Sequence, residues 1–308
     1  MNSKAALLCL AIAANGRAAE SQDCAECHGE IARMFAATAH ANASRSADAR
    51  SILGSFEDSK NVLFTRADGV YFRMERRGER FVQTGFANGQ SRTEPFDFVI
   101  GSGRRGQSYL YWRGGLLHQL PVSYHVGSKR WVNSPGYPDG SVIFDRVIPP
   151  QCLACHTTRF RLEWKGAAMR YGNDYLLGVT CRRCHGDTED HSRIRRVASI
   201  ELCAQCHSGP PGVSEPRPDV HGNQVGLLRQ SRCFSAGTGM TCVTCHNVHR
   251  VERDEVAMAE RCGACHRPGQ CSQASRGNCV ECHMPRQRSK KISIQDYRTH
   301  RIAIYREK

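Results

Sequence analysis

The chain has no apolar run long enough to cross a bilayer. Its longest, Ala5 to Ala14, has ten residues, where a spanning helix needs about 18 or more. Acidic side chains are also scarce: 29 Asp and Glu face 43 Lys and Arg, leaving a formal net charge of +14. Such an excess marks a nucleic-acid partner unless something else in the molecule supplies negative charge. Cysteine is missing altogether from residues 56 to 148, which excludes thiol chemistry from that stretch.

Elsewhere cysteine is abundant. Of 17 Cys, fourteen form seven Cys-x-x-Cys pairs, and a His follows every pair. Random placement at this composition gives about 0.04 such motifs per chain. The motifs begin at Cys24, Cys152, Cys181, Cys203, Cys242, Cys262 and Cys279 and close with Cys27, Cys155, Cys184, Cys206, Cys245, Cys265 and Cys282. Two intervening residues put both sulfurs on one face of a helical turn, where they can add to the two vinyl groups of haem. The adjacent His then reaches the iron as proximal ligand. The pattern therefore predicts seven covalently attached c-type haems, with His28, His156, His185, His207, His246, His266 and His283 on the irons. Zinc is set aside because the number of pairs is odd and every pair carries the His, which a zinc ribbon does not require.

Lys4, the apolar stretch after it and small residues from Ala13 to Ala19 read as an export signal over residues 1–19. The mature protein is then expected to be soluble and periplasmic or secreted, with no transmembrane segment. Removing Lys4 and Arg17 with the leader leaves a balance of about +12, and fourteen haem propionates offset it. By simple counting the holoprotein runs from about −2 reduced to about +5 oxidised. The basic excess thus balances a cofactor, and no nucleic acid is called for.

Three regions follow the leader. Residues 20–55 hold the first motif and a helical segment, Ile31–Ala43. Residues 56–148 show β-type runs at Asn61–Thr65, Val70–Glu75, Arg80–Phe86, Phe96–Gly101, Ser108–Trp112 and Leu116–Tyr124, punctuated by the turn pairs Asp68-Gly69, Asn88-Gly89 and Gly114-Gly115. Residues 149–308 hold six motifs, with 132 residues from Cys152 to His283. That is too little chain to wrap each cofactor in an apolar core. The expected fold is short α-helices and loops around stacked haems, with an inserted small antiparallel β region.

A second strong ligand makes an iron an electron carrier, whereas an open position admits a substrate. His191 and His249 lie too close to their own motif histidines to reach the opposite face of the same haem, so they are expected to serve a neighbour. His40, His221 and His300 are further distal candidates. His118 shares alternate positions with Leu116, Leu120, Val122 and Tyr124, which turns it inward; His125 falls on the solvent parity. Met169, Met240, Met258 and Met284 could substitute as axial ligands. With Cys9 inside the expected leader, Cys233 and Cys271 are left over, and in an oxidising compartment they most simply form a disulfide, with free thiols or a further haem link as the alternatives.

These residues carry a family resemblance. Ile100-Gly-Ser-Gly-Arg-Arg-Gly-Gln-Ser-Tyr-Leu110, Gln119-Leu-Pro-Val-Ser-Tyr124 and Trp131-Val-Asn-Ser-Pro-Gly136 are one part of it. Gly178-Val-Thr-Cys-Arg-Arg-Cys-His-Gly186 with His191, and Thr241-Cys-Val-Thr-Cys-His-Asn-Val-His249, are another. Thr38-Ala-His40-Ala41 matches the opening, and Cys282-His-Met-Pro285 with Thr299-His300-Arg-Ile302 the ending. The chain resembles the cytochrome c554-like multihaem cytochromes, related by haem packing to hydroxylamine oxidoreductase and pentahaem nitrite reductase. The resemblance implies a distal role for His300 and supports Cys233 and Cys271, but it does not support His118 or His125. No Cys-x-x-Cys-Lys occurs, so the catalytic haem signature of the best-known pentahaem nitrite reductases is absent.

The function expected is electron transfer between redox protein partners. The alternative is an oxidoreductase acting on a small nitrogen or sulfur compound at an open-site haem. A third reading is a conducting filament of stacked subunits, joined through the β insert and the tail from Arg286 to Lys308.

Overall fold

The computed structural model describes residues 24–186, 190–194, 199–209, 223–267, 269–271, 278–288 and 296–305. The expected leader, Cys9 and His221 lie outside the described residues.

Strands dominate the first half. A four-stranded antiparallel sheet runs β2 (Val62–Phe64), β3 (Tyr71–Arg77), β4 (Arg80–Ala87), β5 (Gln90–Pro95). A six-stranded sheet has the order β1 (Ser44–Ser46), β6 (Phe98–Ile100), β7 (Gly106–Arg113), β9 (Val122–His125), β10 (Arg130–Asn133), with β8 (Leu116–Gln119) also paired to β7. The turn pairs act as read: Asn88 and Gly89 both have positive φ (50° and 73°), as do Gly114 and Gly115 (59° and 79°), the geometry that matches strand twist in a two-residue hairpin.

The two sheets share a core. Phe72, Met74 and Phe81 from one meet Tyr109, Tyr111, Val122 and Trp131 from the other, with Phe96 and Phe144 between. Gln83, wholly buried, spans the gap: its Oε1 accepts from Val122 N at 2.9 Å and its Nε2 donates to Val122 O at 3.2 Å. Strand alternation sends Leu110 and Leu117 to the opposite face of the larger sheet. There they form a second core with Phe98, Ile148, Leu153, Phe160, Tyr171 and Leu177. Leu153 lies between Cys152 and Cys155, so the second motif is seated directly on the sheet.

The structure corrects several expectations. The run Leu116–Tyr124 is two strands, β8 and β9, broken at Pro121, which has no N–H to give a ladder. The helix expected to Ala43 spans Gly29–Ala36; the chain then turns through Thr38 and His40 and enters β1. Residues after 149 are not only helix and loop. A long hairpin of β11 (Thr157–Lys165) and β12 (Ala168–Leu177) follows the second motif, and β13 (Arg286–Arg288) pairs antiparallel with β14 (Asp296–Arg298). The protein is richer in sheet than expected.

Candidate metal centres

Every Cys-x-x-Cys sits on one helical turn, as its spacing requires. The turns are Cys24–Cys27, Pro150–His156, Cys181–His185, Ile200–His207, Cys242–Cys245, the 3-10 turn Arg261–Ala264 and Cys279–His283. Several begin at a side-chain cap. Ser199 Oγ accepts from Glu201 N, Asn278 Oδ1 accepts from Val280 N, and Thr241 with Thr244 forms a reciprocal capping box. Thiols of different segments also meet. Burial and the neighbouring Cys206 push the Cys155 thiol up to about 11, while hydrogen bonding to Cys242 pulls Cys203 down to about 7. Cys24 likewise faces Cys181, and Cys262 faces Cys279.

Two buried serines tie distant segments together. Ser44 Oγ donates to the His156 carbonyl at 2.7 Å and accepts from Gly178 N at 2.9 Å. Val179 N donates to the His40 carbonyl at 2.9 Å. Gly178 has φ 71° and lies so close to the Ala41 carbonyl that a Cβ would collide with it, so only glycine brings the third motif against the His40 turn. Ser231 does similar work at the other end, accepting from Ile302 N at 2.8 Å beside His300.

This packing pairs imidazoles far apart in sequence. The His40 ring lies 6.1 Å from His207, His249 lies 6.0 Å from His185, and His300 lies 6.3 Å from His246, centroid to centroid. With metal–nitrogen bonds of about 2.0–2.1 Å, two imidazoles across one metal have centroids about 6.3 Å apart. All three separations fit. The second nitrogens fit too: Nδ1 of His207 faces Gln224 Oε1 at 3.2 Å, Nδ1 of His300 faces the Arg298 carbonyl at 3.2 Å, and Nδ1 of His283 faces the Ala303 carbonyl at 3.0 Å. An Nδ1–H donated this way leaves Nε2 for a metal. Burial lowers the pKa of His40, His156, His246 and His249, and takes His300 down to about 4. The neutral, metal-binding form is therefore favoured at neutral pH.

The remaining candidates are placed otherwise. His28 and His266 are exposed, and His191 stands exposed on the turn His191–Arg193. His118 is buried as expected, but within the sheets: its ring lies 5.3 Å from Tyr111, and its Nδ1 has no hydrogen-bond partner among the described residues. His125 Nδ1 is engaged with Ser128 Oγ at 2.8 Å in a turn. Met169 pairs with Trp164 across the β11–β12 hairpin. Cys233 and Cys271 are both free thiols. Cys233 is half-buried near Cys245 and Cys271 is exposed, and no disulfide joins them in this structure.

Charged clamps fix the later motifs. Arg261 Nη1 donates to the Cys245 carbonyl while its guanidinium pairs with Glu252, whose carboxyl it holds down to about 2. Arg298 Nη1 donates to the carbonyls of Val280 and Met284 at 3.0 and 2.8 Å and pairs with Glu255 and Glu281. Ser44, Ser231, Gln224 and Arg298 carried no sequence signal, since each acts through a partner remote in the chain.

The family model for cytochrome c554 and c-prime matches residues 23–62 and 141–186, the segments that carry the first three motifs and the His40 turn. Over these segments the chain is similar to that family. Among curated proteins no sequence matches it. Among solved structures, the chain is similar to the outer cell wall cytochrome OcwA, with a TM-score of 0.56 and 14% identity over 91% of this chain and 78% of that one. The undecahaem cytochrome from the S-layer of Carboxydothermus ferrireducens is a looser match, at TM-score 0.43 and 17% identity, covering 93% of this chain and 52% of that one. At that identity the likeness to OcwA is one of fold. Among the described residues no helix is long and apolar enough to cross a membrane.

Proposed function

We propose that this is an exported seven-haem c-type cytochrome that relays electrons between redox protein partners. The observation that carries the reading is the three imidazole pairs, each joining a motif histidine to one remote in sequence at the spacing of two ligands on one iron. In this reading residues 1–19 are the leader, residues 20–55 hold the first haem, residues 56–148 are the β-rich insert, and residues 149–308 hold the other six. The seven Cys pairs hold the cofactors. His40, His249 and His300 complete the ligation at His207, His185 and His246, while His191 and His221 serve further irons. Bound haem with two imidazole ligands supplies a one-electron couple whose coordination changes little between oxidation states. The outer cell wall placement of OcwA, the structure this chain is similar to, supports an extracellular location.

Mass spectrometry of the matured protein tests the count: a mass gain of seven covalent haems is expected, and fewer overturns it. Electron paramagnetic resonance tests the ligation. Low-spin iron throughout, with no response to carbon monoxide, nitrite or hydroxylamine, is expected of a relay. A high-spin component that binds one of them favours the alternative, an oxidoreductase. That second reading is motivated by His28, His156, His266 and His283, which make no ring contact with a second imidazole among the described residues.

A further inference from the structure

The cysteine-free β region sends one loop toward the paired imidazoles. Residues 101–106, Gly-Ser-Gly-Arg-Arg-Gly, join β6 to β7. The loop is tightly held. Gly101 N donates to the Ala43 carbonyl at 2.7 Å, three residues beyond His40, and the Arg105 carbonyl accepts from Val126 N at 2.9 Å. Gly101 has φ 104°, and a Cβ there would lie 2.6 Å from the Gly106 carbonyl. The loop places Arg104 within electrostatic reach of the His246 ring. Arg105 sits among Arg104, Arg286 and Asp296.

The Nη1 of Arg105 is buried and has no hydrogen-bond partner among the described residues. A guanidinium nitrogen withdrawn from water without an acceptor is costly, and Arg104 and Arg286 raise that cost. An anion would satisfy it. We infer that Arg105, supported by Arg104, binds a propionate carboxylate of the haem attached at Cys242 and Cys245. The assignment rests on the proposed haem at that motif. Its chemistry is the planar guanidinium fork, which takes a carboxylate in two parallel bonds. The β region then supplies the counter-charge that holds the potential of this haem up.

The test is a spectroelectrochemical titration of the matured full chain and its Arg105→Gln and Arg105→Lys variants, with haem content measured on each. Arg105→Gln is expected to lower the midpoint of one haem component only, by about tenfold in its reduction equilibrium, or about 59 mV for a one-electron couple. Arg105→Lys, which keeps the charge, should restore most of that shift. Unchanged potentials with full haem content overturn the inference and leave the seven-haem reading intact. Loss of haem at the fifth motif of the parent protein overturns that reading instead. Should the potentials stay fixed while added nitrite or sulfite perturbs the parent spectrum and not that of Arg105→Gln, the site takes an external anion and the propionate assignment fails.

Discussion

Residues 44–179 and residues 199–305 solve the problem of a core in opposite ways. The first region buries 23 apolar side chains, among them Phe72, Tyr109, Tyr111, Trp131 and Phe144. In the second, the described residues bury only Val225, Leu227, Leu228, Ala259, Val280 and Tyr297. It is held instead by capped single-turn helices, the Arg261 and Arg298 clamps and the Ser231 contact. Packed apolar area provides most of the driving force for folding, so the first region has its own supply. The second leaves that role to whatever its cysteines and imidazoles hold.

The largest expected effect separates the two outright. Protein produced without haem attachment should lose protection in hydrogen exchange and limited proteolysis throughout residues 199–305, while β3, β4 and β7 remain protected. Equal protection in both regions would break the comparison. Next in size is Phe72→Ala, which opens a cavity where the two sheets meet and should cost about 3–5 kcal/mol. Thermal unfolding followed by far-ultraviolet dichroism should fall while the haem spectrum at room temperature stays unchanged; a change in iron ligation would show that the regions are one unit.

The smallest effect concerns the clamp on the fifth motif. Glu252→Gln should cost about 1.5–3 kcal/mol, the range for a hydrogen bond to a charged group. Because the folded pKa of Glu252 is depressed to about 2, its contribution is complete above the ordinary carboxylate range and fades as the pH falls toward about 2. The difference between parent and variant, read from acid unfolding in the Soret band, should therefore vanish across that window. A difference that persists below it would assign the effect to packing.

Legibility followed the range of the interactions. β3 and β4 were readable because Val70–Glu75 and Arg80–Phe86 are short runs rich in aromatic and β-branched residues, and the turn between β4 and β5 announces itself at Asn88-Gly89. Strand β5, Gln-Ser-Arg-Thr-Glu-Pro, was not, since an edge strand facing water needs no apolar rhythm. The β11–β12 hairpin was missed for a related reason: half of it projects into solvent with Glu163, Lys165 and Arg170. The motif cysteines and their histidines were legible from spacing alone. His40, His249 and His300 were found by their neighbours in sequence, but which motif each would face was not, because that depends on contacts such as Gly178 against Ala41. His191 stays exposed, and His118 was drawn into the sheets by the apolar alternation that made it a candidate.

Ser44 bears on the order in which the molecule is made. Its two partners lie 112 and 134 positions further along the chain. Synthesis delivers the first motif and the His40 turn long before residues 156 and 178 exist to receive them. The turn closes on its own local hydrogen bonds, but its docking beside the second and third motifs waits for residues 156 and 178. A single hydroxyl thereby makes the seating of the first motif depend on chain that arrives much later.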